Sequence, residues 1–272
     1  MIQAAKNLIT YRELLAVLAW KNIALRYKQA YVGIAWAVFK PITLMLIFTL
    51  VKSFVGIDSG AIPYPLLTFA ALMPWIFFQE ATADGVGSVV SNAHLIRKIY
   101  FPREIFPLTT VITKLVELGI NFVILAGLMA WYGFMPTAEA LWLPLIILYT
   151  ILASLSISLI GAAMNVYSRD VANVLPILLS LMMYASPVIY PLALVKEKLL
   201  VNQAAGEWSG TLYTLYTLNP MAGIIDAFQQ TLLHGQPPDF SAMLPGMVLV
   251  TILLPIGYMV FKRAEAYFAD VV

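Results

Sequence analysis

The chain has 272 residues, of which 61% are hydrophobic and only 11% charged, and its mean hydropathy is +0.87. Soluble domains carry about 25% charged residues, so the composition excludes an ordinary soluble fold. The absence of cysteine excludes a disulfide framework, a cysteine-ligated iron–sulfur cluster and a thiolate zinc site, and the net charge of +2 matters less than where the charges sit.

Residues 1–32 hold Lys6, Arg12, Lys21, Arg26 and Lys28 and no uninterrupted apolar run ahead of a small-residue cleavage site. They are expected to be retained rather than removed as a signal peptide. Residues 11–29 within them predict an amphipathic helix lying in the membrane interface. Thr10 and Glu13 have capping-box spacing, and Leu8, Tyr11, Leu15, Leu18 and Leu25 fall near one face.

About 20 apolar residues in a helix cross a bilayer core of roughly 30 Å. Runs of that size predict six spans, at 33–57, 63–84, 105–131, 141–167, 171–194 and 242–261. Pro74 marks a kink in the second, which neighbouring helices must accommodate. The segment 195–241 is too long for a simple turn and predicts one or two short helices re-entering the outer leaflet, with Asp226 and His234 in its semi-apolar stretch. The expected fold is all-α and integral to the membrane, a single transmembrane domain over 1–272. Eleven basic residues then fall on one side: five before span one, Arg97, Lys98 and Arg103 after span two, Arg169 after span four, and Lys262 and Arg263 after span six. By the bias of cytoplasmic loops toward Lys and Arg, both termini are cytoplasmic.

Several chemistries have no signature. No glycine is followed by lysine, so there is no G-x-x-x-x-G-K-[ST] phosphate loop. His94 and His234 lack the helical spacing of a zinc site. No serine sits in a nucleophile elbow. Both G-x-x-x-G runs, from Gly56 and from Gly206, lie in polar loops rather than on a helix seam. Neither a metal nor a cofactor is expected in this chain.

Two pairs of charges lie inside predicted spans: Glu80 with Asp84, four apart, and Lys114 with Glu117, three apart. Each pair shares a helix face. Intramembrane charges are costly and point either to ion pairing between spans or to contact with a polar cargo.

Several short runs then bear a family resemblance. They are Arg26-Tyr27-Lys28-Gln29-Ala30-Tyr31-Val32-Gly33-Ile34-Ala35-Trp36, Met73-Pro74-Trp75-Ile76-Phe77-Phe78, the loop Asn92 to Glu104, Arg169-Asp170, Ser186-Pro187-Val188-Ile189-Tyr190-Pro191 and Leu218-Asn219-Pro220-Met221. Each is short, but in this order they resemble the ABC-type polysaccharide-export permeases of O-antigen, teichoic acid and capsule. A departure is Gln229-Gln230, where the family pattern has an arginine after the aromatic at Phe228.

The resemblance implies a homodimer in the cytoplasmic membrane, docked on two copies of a separate nucleotide-binding ATPase that carries the ATP and magnesium. It implies a lipid-linked polysaccharide as cargo; a nucleic-acid partner is not expected. The loop 91–104 becomes the candidate coupling element through His94, Leu95, Ile96, Arg97, Lys98, Ile99, Tyr100, Phe101, Pro102 and Arg103, although any membrane protein needs such a cationic anchor. Arg26, Lys28 and Lys40 cluster where a lipid diphosphate would arrive, or where anionic lipid is simply attracted. Trp75, Phe77, Phe78, Tyr184, Tyr190, Tyr213 and Tyr216 either stack on a passing sugar chain or form an interfacial belt. Other readings are an exporter of a different amphipathic cargo, such as a drug or lipid, and a membrane-embedded glycan or lipid enzyme.

Overall fold

The computed structural model describes residues 10–28, 35–56, 61–98 and 101–268, and among them every regular element is helical. The side chains of Arg26, Tyr27 and Lys28 lie outside this description, as do Ile99 and Tyr100 altogether.

Helix α1 (Arg12–Lys28) follows the expected periodicity. Tyr11, Leu14, Leu15 and Leu18 recur at three- and four-residue spacing and pack inward. Leu25, expected on that face, is instead 60% exposed. The remaining elements are α2 (Ala35–Val55), α3 (Tyr64–Ser91), a single turn α4 (Ala93–Ile96), α5 (Ile105–Tyr132), α6 (Leu143–Tyr167), α7 (Asp170–Tyr184), α8 (Leu192–Lys196), α9 (Ser209–Leu218), α10 (Pro220–Gln229) and α11 (Phe240–Glu265). Their ends follow local chemistry. Gly133 closes α5 in the left-handed region at φ 73°, and the Asn219 and Asp239 side chains cap α10 and α11 by accepting from Met221 N and Ser241 N.

Among the described residues five helices are long and apolar enough to cross a membrane: α2, α3, α5, α6 with the 3₁₀ turn that leads into it, and α11. The segment expected as a fifth span over 171–194 differs. Its helix α7 has 15 residues, about 22 Å of rise against a 30 Å core, and it stops ahead of Ser186-Pro187, where a proline disfavours the helical conformation in the residue before it. The chain then turns through Tyr190-Pro191 into α8.

Helix α3 is the hub, packed by α2, α5, α6, α7 and α10. Its approach to α6 needs small residues. A Cβ on Gly161 would lie 2.4 Å from Val86 Cγ2, and one on Gly85 would lie 2.5 Å from Ser158 Oγ. All ten residues of α10 are buried against α3, α6 and α11, Asp226 included. Two cores result. The larger fills the bundle around Phe69, Trp75, Phe78 and Phe228. The second sits where α3 and α6 end and α5 begins, and joins Leu18, Val89, Ile96, Phe101, Phe106, Phe261 and Phe268.

Candidate functional site

The intramembrane charges meet. Lys114 on α5 is 2% exposed, and its Nζ is paired with Glu80 Oε2, with Asp84 Oδ2 at 3.3 Å and with Glu117 Oε2 at 3.3 Å. On the other side of Glu80, Lys40 Nζ approaches Oε1 at 2.9 Å. The geometry follows from spacing: Glu80 and Asp84 present one face of α3, Lys114 and Glu117 one face of α5, and α2 brings Lys40. A lysine so deeply buried persists only with such partners. Asn121, one turn on, donates to Glu117 O at 3.0 Å. Lys40, a candidate for a head group, is thus held by a carboxylate; its fellow candidates Arg26 and Lys28 have side chains outside the described residues.

The loop after α3 is braced rather than splayed. His94, Arg97 and Lys98 are exposed and Leu95 is half-buried, whereas Ile96 and Phe101 are buried in the second core. Phe101 packs edge-on against Phe106, ring centroids 5.3 Å apart. Of the expected coupling residues, Ile96 and Phe101 are therefore anchors that face inward, because they fill the gap under α1. The loop's far end is tied to the end of α11. Lys262 Nζ lies 2.6 Å from Glu104 Oε2 and 2.7 Å from Glu265 Oε2. Arg103 donates its backbone N–H to Glu265 Oε1 at 2.8 Å and its guanidinium Nη1 to Glu265 O at 3.2 Å. Lys262 and Glu265 are neighbours three apart on one helix, but their ties to Glu104 and Arg103 are not legible in the sequence, since those partners are about 160 residues away. Pro102 is half-buried between these anchors.

The aromatic set divides. Trp75, Phe77 and Phe78 are buried in the main core, where Trp75 and Phe78 lie against each other at 5.9 Å, so they form no wall of this chain. The tyrosines gather at the opposite end of the bundle. Tyr190 Oη donates to Tyr184 O at 3.2 Å, and Tyr216 Oη to Tyr190 Oη at 3.4 Å. Tyr213 is half-buried on the same helix as Tyr216. Beside them Lys196 Nζ pairs with Asp239 Oδ2 at 3.2 Å. Burial pushes the Asp226 carboxyl up to about 6, with repulsion from Asp239 adding to it, against the lowering effects of Gln230 and Lys196. Gln229, at the departure from the family pattern, donates to Leu67 O at 3.2 Å and ties α10 to α3. Among the described residues no group of three His, Asp or Glu side chains is placed to hold a metal ion.

Comparison with known proteins covers the same ground. The chain is 26% identical over 271 residues to the O-antigen export system permease protein RfbA of Myxococcus xanthus, spanning 99% of each protein. It is 25% identical to RfbA of Klebsiella pneumoniae over 95% of each, and 21% identical to the polysialic acid transport protein KpsM of Escherichia coli over 90% of this chain and 91% of the relative. Residues 13–233 match the family described as ABC-2 type transporter. With five bilayer-length apolar helices around a buried charge cluster, and with that match over most of its length, the chain is a multi-pass membrane protein of the ABC-2 type transporter family.

Proposed function

We propose that the chain is the permease subunit through which a lipid-linked polysaccharide leaves the cytoplasm. It works as a homodimer in the cytoplasmic membrane, and two copies of a separate subunit hydrolyse ATP. The observation that carries this reading is similarity to O-antigen export permeases over 99% of both chains. Both termini and the loop 91–104 face the cytoplasm, as the crowding of Lys and Arg at that end requires. There His94, Arg97 and Lys98 meet the ATPase, Ile96 and Phe101 anchor the loop, and the Glu104–Lys262 tie links its displacement to α11. The exposed apolar faces of α2 (Trp36, Phe39, Phe54) and α7 (Ile177, Leu181) supply the surfaces for the second copy and for lipid. The polymer passes between the copies, near Tyr184 and its neighbours.

The test is complementation. A bacterium deleted for its own O-antigen permease receives this chain with the ATPase encoded beside it, and surface polysaccharide is measured by immunoblot. Restored surface polymer that disappears with Arg97→Glu/Lys98→Glu, while the chain still accumulates in the membrane, supports the reading. A properly inserted complex that hydrolyses ATP but moves only small amphiphiles would overturn it.

A further inference from the structure

A cavity of about 550 Å³ lies between α1, the last turns of α3 and the first turns of α5, and none of the roles above uses it. We propose that it binds the primary-ammonium headgroup of a phospholipid.

The case rests on which hydrogen-bonding groups the wall leaves over. Ser88 Oγ donates to Gly85 O at 2.6 Å, Ser91 Oγ to Gly87 O at 2.9 Å, and Asn92 Nδ2 to Ser88 O at 2.8 Å. On the facing helix Thr109 Oγ1 donates to Ile105 O at 2.7 Å, Thr110 Oγ1 to Pro107 O at 2.7 Å, and Thr113 Oγ1 to Thr109 O at 2.9 Å. Each hydroxyl has one proton, and each is already given to its own helix. Toward the cavity the hydroxyls therefore offer only oxygen lone pairs. Asp84 adds a carboxylate whose side chain is 49% exposed, its Oδ2 lying 3.3 Å from Lys114 Nζ. Such a wall repels a phosphate and suits a cation with several N–H donors. An ammonium has three, whereas a trimethylammonium has none. The donors that remain are carboxamide hydrogens of Asn22 and Asn92, enough for the phosphate of the same zwitterionic headgroup.

The position favours a lipid over a soluble amine. Helices α3 and α5 have 28 residues each, about 42 Å of rise, which matches a whole bilayer with its headgroups rather than the 30 Å core. Ser91 and Asn92 stand at the end of α3, at headgroup depth, and Thr109 to Thr113 one to two turns deeper. Leu18, Leu25 and Phe106 form an apolar side of the same cavity, and α1 also exposes Val17 and Trp20, as a helix against acyl chains does.

The experiment uses the full chain purified in detergent, with thermal unfolding followed during titration by phosphatidylethanolamine, phosphatidylcholine, phosphatidylglycerol or water-soluble phosphoethanolamine, and with bound lipid counted by native mass spectrometry. Phosphatidylethanolamine is expected to raise the midpoint saturably and to be retained at one copy per chain. The choline and glycerol lipids are expected to bind about tenfold more weakly, the scale set by loss of a charge-assisted hydrogen bond. Asp84→Asn is expected to erase the preference, and the mild pair Ser91→Ala/Thr109→Val to weaken it if Asp84→Asn does not fold. Equal stabilisation by phosphatidylglycerol, or a preference that survives these substitutions, would overturn the proposal. Equal stabilisation by phosphoethanolamine would overturn the assignment to a lipid.

Discussion

Lys114 and Lys262 are built to one plan and serve in two dielectrics. Each pairs with a glutamate three residues on along its own helix, Glu117 or Glu265, and with a second carboxylate from another element, Glu80 or Glu104. Yet the Lys114 side chain is 2% exposed and that of Lys262 is 29% exposed. At Lys114 itself water cannot replace a lost partner, so the lysine is a rivet: it cannot lose its carboxylates without stranding its charge. At the loop end, water and salt reach the lysine, so the Lys262 tie can loosen and re-form at modest cost. The same residue pattern thus marks a fixed point between α2, α3 and α5 and a yielding joint between the loop and α11.

The contrast breaks most sharply at Lys114. Lys114→Met leaves the carboxylates of Glu80, Asp84 and Glu117 without their shared cation and should cost about 3–5 kcal/mol. It is expected to lower yield and thermal midpoint in detergent with little dependence on salt. Adding Glu80→Gln should recover part of the loss, and a single variant as stable as the parent would show that the cluster is not a rivet. Lys262→Met should cost less, about 1–3 kcal/mol, with a deficit that shrinks at high salt. On the proposed function its larger effect should fall on ATP-driven export, and unchanged polysaccharide export would deny the joint any mechanical part. Between the two lies a purely steric control. Gly161→Ala presses a Cβ on Val86 and should cost about 1–3 kcal/mol without touching either network. Val86→Ala in the same chain should restore much of it, which thermal unfolding would register.

One change should stabilise rather than destabilise, at Asp226. Its pKa is raised to about 6 in the folded chain, so the native state binds the proton more tightly than the unfolded chain does. Stability from this group is fully present below pH 4 and is lost as pH rises through about 6. Asp226→Asn should therefore stabilise the chain at neutral pH, by up to about 3 kcal/mol, raising the midpoint there and flattening its change between pH 4 and 6. A variant with the parental pH profile would remove Asp226 as the titrating group.

Bilayer-length apolar runs make the helical membrane class legible in the sequence, and the i, i+4 and i, i+3 spacings make each charged pair legible on its own helix. Which helix lies inside is harder to read. Helix α3 has the lowest mean hydropathy of the five long helices, 1.2 against 2.3 for the segment containing α6, yet it is the most buried. Lipid rewards apolar side chains more than a neighbouring helix does, so the hub of a membrane bundle is its more polar member. Trp75 and Phe78, which in sequence could line a sugar path or form an interfacial belt, sit on that hub and are buried. The 91–104 loop stands out in sequence as cationic and amphipathic, but its brace does not, because nothing local joins Glu104 to Lys262 or Arg103 to Glu265. Likewise the α3–α6 crossing rests on small residues at four-residue spacing, Ala81 and Gly85 on one helix and Ser154, Ser158 and Ala162 on the other, but neither helix's spacing says which neighbour it meets.

The tie between Arg103 and Glu265 also sets a timetable. The two residues are separated by 162 positions, so at roughly 5–20 residues per second the loop waits on the order of 10–30 s of synthesis for the helix that finishes it. Phe261 and Phe268, which complete the core beneath Phe101, arrive equally late. Until then this cationic surface is unfinished, and a protein that recognises its final shape would select molecules whose last span is already in place.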